Sequence, residues 1–238
     1  MRHFFFILAL GLAALATLTA PATPARADSP VVVELFTSQG CSVCPPADAL
    51  LAELATRPDV IPLALHVDYW DYIGWPDTFA SGQFTRRQQA YARHVGQRMV
   101  YTPQMIIGGV ERVVGYEPMD VAELILRYRE VDYPVEVSLT RVEGGIALRA
   151  VASMALESPG MVVQVVRYIP RETVEIRRGE NAGRVVDYTN IVTEWMRVGD
   201  WSGQEPFEIE LVDSSSLPVV ALVQMAGPGA ILGAARLD

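Results

Sequence analysis

The stretch from Phe36 to Leu51, FTSQGCSVCPPADALL, constrains this chain more than any other. It holds both cysteines of the sequence, Cys41 and Cys44, with two residues between them. A β-branched run, Val31-Val32-Val33-Glu34-Leu35-Phe36, comes just before and reads as a buried strand. Ala47, Leu50, Leu51, Leu54 and Ala55 follow at helical spacing. Pro45 and Pro46 suit the start of that helix, where a missing N–H forfeits no bond. The pair therefore sits at a strand-to-helix junction. Unpaired N–H groups and a partial positive charge at the helix N-terminus favour the thiolate of the first cysteine. On this reading Cys41 is the exposed nucleophile and Cys44, in the first turn, resolves a mixed disulfide.

Other uses of two cysteines are open to the same residues. As a structural staple the pair closes a very short ring, which loop entropy credits with only about 2 kcal/mol before strain. Structural zinc normally takes four ligands, and after a leader is removed only His66 and His94 remain as histidines. Copper(I) is satisfied by two thiolates and a thioether such as Met105. It gives an alternative function: a non-enzymatic binding or assembly factor that handles copper(I) through these cysteines.

The chain opens with Arg2 and His3, an uncharged apolar run from Phe4 to about Ala20, and then Ala25-Arg26-Ala27. That order marks a secretory signal peptide over residues 1–27, cleaved after Ala27. The apolar run is shorter than a membrane span requires and contains threonines, which argues against stable membrane insertion. A periplasmic or secreted location follows, an oxidising setting in which thiol–disulfide enzymes work. Losing residues 1–27 removes Arg2 and Arg26 and no acid, leaving 17 basic and 28 acidic side chains, a formal charge of −11. Every basic side chain is arginine. So acidic a chain, with no basic block, is a poor binder of nucleic acid or anionic lipid.

From residue 28 to 133 the pattern alternates between strands and helices. Val60 to Val67 reads as a second strand, Phe84, Gln88, Tyr91, Ala92 and Val95 as a second amphipathic helix, Gln104 to Ile107 and Val110 to Val114 as paired strands, and Val121, Leu124, Ile125 and Tyr128 as a last helix. This predicts an α/β sheet covered on both faces. From 134 to 238 short alternating runs replace helices, at Val135 to Leu139, Ile146 to Ala150, Val162 to Ile169, Thr173 to Ile176, Phe207 to Val212 and Pro218 to Met225. They predict a small antiparallel, sandwich-like β domain.

A strand, Cys-x-x-Cys at a helix start, a βα unit, then Thr102-Pro103 before a strand and the Gly108-Gly109 turn resembles the thioredoxin superfamily. More narrowly, ELFTSQGCSVCPPADALL, HVDYWDYIGWPD and YTPQMIIGG, together with RGENAGRVVDYTN at 178–190, resemble a bacterial family of secreted thioredoxin-like proteins known only as a domain of unknown function. The resemblance implies a thioredoxin-like fold for 28–133. The family supplies no reaction of its own; the coincidence of dithiol, helix start and Thr-Pro strand gives the leading expectation, a thiol–disulfide oxidoreductase with a protein or small-molecule thiol or disulfide as partner and no cofactor. The resemblance also implies that Pro103, with Thr102 before it, forms a cis bond bordering the substrate surface. Thioredoxins carry a buried acid on the strand before the motif that moves protons at the second cysteine, and Glu34 is the nearest counterpart here, one residue further from Cys41 than expected. Ser42-Val43 between the cysteines replaces Gly-Pro and alters redox poise.

Three further features are read as structural. His66, in an apolar strand, is expected to be a hydrogen-bonded interior side chain. Tyr69, Trp70, Tyr72 and Trp75 are expected to pack an extra helix on the sheet. Arg86, Arg87, Arg93 and Arg98 are expected to form a solvated face of the second helix.

Overall fold

A computed structural model describes residues 29–153, 160–213 and 215–238. The expected signal peptide lies outside the described residues. Strand β1 (Val31–Thr37) leads through the cysteine loop into helix α1 (Pro45–Leu54), then β2 (Val60–His66). A single 3-10 turn at Asp71–Ile73 precedes α2 (Gly82–His94), β3 (Gln104–Ile107), β4 (Glu111–Val114) and α3 (Pro118–Arg129). The rest is strand: β5 (Val135–Val142), β6 (Gly145–Ala152), β7 (Met161–Glu175), β8 (Val185–Trp201), β9 (Phe207–Val212), β10 (Val219–Met225) and β11 (Ile231–Leu237). Among the described residues no helix is long and apolar enough to cross a membrane.

The strands make two sheets, one of eight strands in the order β11-β10-β7-β8-β2-β1-β3-β4 and one of three in the order β5-β6-β9. The antiparallel strands expected over 134–238 are present. Four of them, however, continue the sheet begun by β1–β4 instead of closing on themselves. The join is a parallel contact of β2 with β8, Ala64 opposite Ile191. It is short because Pro62 has no N–H to give; the Asn190 amide donates to the Pro62 carbonyl instead, at 2.9 Å. Asn190 is also the one non-glycine among the described residues with positive φ, 51°. Opposite it, the pairing of β7 with β8 passes over Pro170. Beyond that point residues 171–175 and 185–189 run on as a two-stranded arm.

Strand alternation sorts the core. On β1, Val32 and Phe36 face one way and join a cluster with Phe84 and Tyr91 of α2. Val31, Val33 and Leu35 face the other way, against Ala47 and Leu51 of α1 and Val121 and Ile125 of α3. Burial on both faces is why this strand reads as an unbroken apolar run. Val163, Val165, Val219 and Ala221 carry the α1 side of the sheet onward and pack against Val135, Ile146 and Leu148 of the three-stranded sheet. Thus α2 covers one face, and α1, α3 and the small sheet share the other.

Candidate functional site

Cys41 and Cys44 are joined by a disulfide, with Cα atoms 5.4 Å apart. Cys44 caps α1, Pro45 and Pro46 fill its first turn, and the Ala47 and Asp48 amides donate to the Cys44 carbonyl at 2.8 and 3.1 Å. The pair stands at the helix start as its spacing suggested. Its exposure differs from expectation: Cys41 and Cys44 are both 0% exposed, and of the motif only Ser42 and Val43 face solvent.

One clasp on this loop comes from the far end of the chain. Residues 176–184 join β7 to β8 at the tip of the arm, and the Asn181 amide nitrogen donates to the carbonyls of Gln39 and Cys41, each at 2.9 Å. A second clasp comes from the aromatic loop. The Trp75 indole N–H donates to Gln39 Oε1 at 2.8 Å, the Gln39 amide donates to Asp77 at 2.8 Å, and the Trp70 indole N–H donates to Thr102 Oγ1 at 2.7 Å. A side chain at Gly40 would meet Trp70 Cβ at 3.2 Å, so the glycine permits that close approach. Tyr69 and Trp70 therefore pack on the core, as expected, and Trp75 bonds Gln39, whereas Tyr72 is 81% exposed and the extra helix is only the 3-10 turn.

The Thr102–Pro103 bond is cis. Thr102 and Pro103 are buried, and Pro103 Cβ and Ala47 Cβ both lie within 3.1 Å of where a Gly115 side chain would begin. That places the proline beside the first turn of α1.

Glu34 is elsewhere. Its even position on β1 turns it toward α2, away from the face that carries α1. There its buried carboxylate accepts from the part-buried Arg87 at 2.6 and 2.9 Å and from the buried Tyr91 hydroxyl at 2.6 Å. Arg87 also lies over the Trp195 ring at 3.8 Å. It is consequently not part of a solvated face, whereas Arg86, Arg93 and Arg98 are exposed.

The acid on the α1 side is Asp48, 3% exposed, which accepts from Thr37 Oγ1 at 2.9 Å. Burial pushes its carboxyl up to about 7, against the opposing pull of His66 and the Thr37 hydrogen bond. Its Oδ2 has no hydrogen-bond partner. His66 is an interior histidine as expected: Nδ1 meets Asp77 Oδ2 at 2.7 Å, and Phe79 and Tyr188 pack edge-on against the ring. Burial raises Asp77, but the charge and hydrogen bond of His66 and the Gln39 and Phe79 amides outweigh it and hold Asp77 below its ordinary value. Asp48 also borders a groove of about 780 Å³ between α1 and the arm, lined by Pro45, Ala52, Pro170, Arg184 and Val186. Among the described residues no cluster of three or more His, Cys, Asp or Glu is placed to hold a metal. Met105 is buried in the α1-side core.

Asp48, Asp77 and Asn181 all lie in the stretches that carry the family resemblance, but sequence reasoning gave none of them a role at the site. Asp48 carried a further local signal, an acid at the edge of the apolar stripe Ala47–Leu51–Leu54.

Residues 32–224 match a family model described as a protein of unknown function, DUF1223. The chain belongs to this family. It is 33% identical to the protein AGR_C_4864 from Agrobacterium tumefaciens, known from an X-ray crystal structure, with a TM-score of 0.76 over 87% of this chain and 93% of that one. HBP35 of Porphyromonas gingivalis is 15% identical, with a TM-score of 0.63 over 88% of this chain and 74% of that one, a likeness of fold alone. Among curated proteins no match is found.

Proposed function

We propose that this family member is an exported thiol–disulfide oxidoreductase built on a thioredoxin-like fold, working by interconversion of the Cys41–Cys44 disulfide and dithiol. The observation that carries the reading is the Cys41–Cys44 disulfide at the N-terminus of α1 with cis Pro103 beside the same turn. A substrate thiolate attacks Cys41 Sγ, the S–S bond breaks, and Cys44 leaves with the electron pair. The helix N-terminus stabilises charge on the cysteine sulfurs. Asp48, the buried acid of the α1 side, takes the part first assigned to Glu34 and delivers a proton to Cys44.

Because Asn181 and the arm tip cover the disulfide, the reaction begins when that tip lifts. The acidic exported chain fits a protein or small-molecule thiol as substrate. Equilibration of the mature protein with glutathione redox buffers tests the reading. A working pair gives a reversible two-electron transition, and Cys44→Ser accumulates a mixed disulfide at Cys41. An inert disulfide with no trapped adduct overturns it.

A further inference from the structure

The parallel register of β1 and β2 sets Thr37 opposite His66. Paired residues leave the same face of a sheet, here the face that carries α1. Thr37 and His66 thus stand side by side beneath the turn that begins at Cys44. Thr37 Oγ1 donates to one oxygen of Asp48 and leaves Oδ2 without a partner. Asp77 fixes His66 Nδ1, and His66 Nε2 is also buried without a partner. Asp77 is itself held by the amides of Gln39, at 2.8 Å, and Phe79, at 2.9 Å.

Two unspent polar atoms, one acidic and one basic, on one buried face are expensive to keep. Their electrostatics are coupled. His66 pulls the Asp48 carboxyl down against the rise that burial causes, and Asp77 pushes it up. The His66 and amide contacts hold Asp77 below its ordinary value, which suits it to accept from His66 Nδ1 and leaves the Nε2 edge of the ring outside that bond. The remaining neighbours leave this traffic alone. Burial, then Asp48 and Asp77, raise the Tyr188 hydroxyl; on the arm, Arg171 is paired with Asp187, and Arg184 lines the outer groove.

We infer that His66, oriented by Asp77, is a positioning residue that exchanges the redox proton with Asp48. The inference rests on the oxidoreductase reading. When a substrate thiolate attacks Cys41 and the S–S bond breaks, Cys44 leaves as a thiolate. The Asp48 carboxyl gives its proton to Cys44 Sγ, and protonated His66 returns one to Asp48 Oδ2 through a bridging water, the two atoms making no direct hydrogen bond. Oxidation runs the same transfers backwards. The incoming thiolate supplies the electron pair and the imidazolium the proton, so each step balances.

The test follows disulfide exchange of the mature protein with glutathione from pH 5 to 9, corrected for the fraction of glutathione thiolate, in wild type, His66→Gln and Asp77→Asn. The expected result is an inflection in the wild-type profile that both variants lose, with exchange about tenfold slower near neutral pH. Infrared difference spectra of wild type, reduced minus oxidised, should show an imidazole band changing protonation. Superimposable profiles with no imidazole band overturn the inference while leaving the oxidoreductase reading intact. A wild type that does not exchange at all defeats the reading itself. Should His66→Gln fail to fold, Asp77→Asn and the wild-type spectrum decide.

Discussion

The side-chain amide of Asn181 donates to the carbonyl of Cys41 across 140 residues of sequence, at 2.9 Å. The same nitrogen holds Gln39, so one side chain pins the run-up to the motif beneath the arm tip. Asn181→Ala takes the side-chain donor from both carbonyls; Cys41 keeps the Cys44 amide at 3.2 Å, so the loss falls on Gln39 and costs about 1–3 kcal/mol. Part of that loss is local, and it favours the lifted tip. Reduction of Cys41–Cys44 by dithiothreitol is therefore expected to quicken by about tenfold, measured by alkylation of the released thiols, while global stability in urea falls by less than the full penalty.

Asp48 gives the protein a pH-dependent stability of defined sign. In an unfolded chain its carboxyl titrates near 3.9; in the folded one it is pushed up to about 7. Between these values only the folded state keeps the proton. The associated stability is complete below about pH 4 and is lost as pH rises through about 7, to a limit of about 4 kcal/mol. Asp48→Asn removes that dependence. Urea unfolding at pH 5 and pH 8 should show the variant gaining on wild type at the higher pH, and a constant difference would exclude this assignment.

Trp70 links the two loops that flank the disulfide. Its Cβ and carbonyl oxygen lie against Gly40, and its indole N–H donates to Thr102 beside cis Pro103. Trp70→Phe keeps most of the packing and removes the donor. A loss of about 1 kcal/mol in unfolding free energy is expected, and Thr102→Val in the same background should add little, since the two residues share one bond.

Local pattern was enough for the front of this site. The apolar run of β1, the paired prolines and the helical stripe of α1 all act over a few residues, so they place Cys41 and Cys44 at a helix start without reference to the rest of the chain. Burial of the pair was not legible, because it depends on parts of the chain far along the sequence, among them the hairpin tip whose Asn181 holds the Cys41 carbonyl. The same limit explains the sheet. β8 carries Asp187, Glu194 and Arg197 among its apolar residues and hides its own period, and nothing local says that Ile191 meets Ala64. Glu34 was misplaced for a different reason. Alternation on a strand buried on both faces says that an acid must have a partner, but not on which side it waits.

That partner defines the last expectation. Glu34 and Arg87 form a buried pair with side chains 0% and 12% exposed, reinforced by Tyr91 and Gln224. Removing one member strands the other charge in the core, which typically costs about 3–5 kcal/mol. Glu34→Ala should show that loss in urea unfolding, and Glu34→Ala/Arg87→Met should recover much of it. Because the pair lies on the α2 face, disulfide exchange of the folded double variant is expected to keep the wild-type rate and pH profile. Asp48→Asn, on the α1 face, should show the reverse, slowed exchange without a matching loss of stability. A Glu34/Arg87 double variant that folds and yet loses its exchange profile would restore Glu34 to the proton path and remove Asp48 from it.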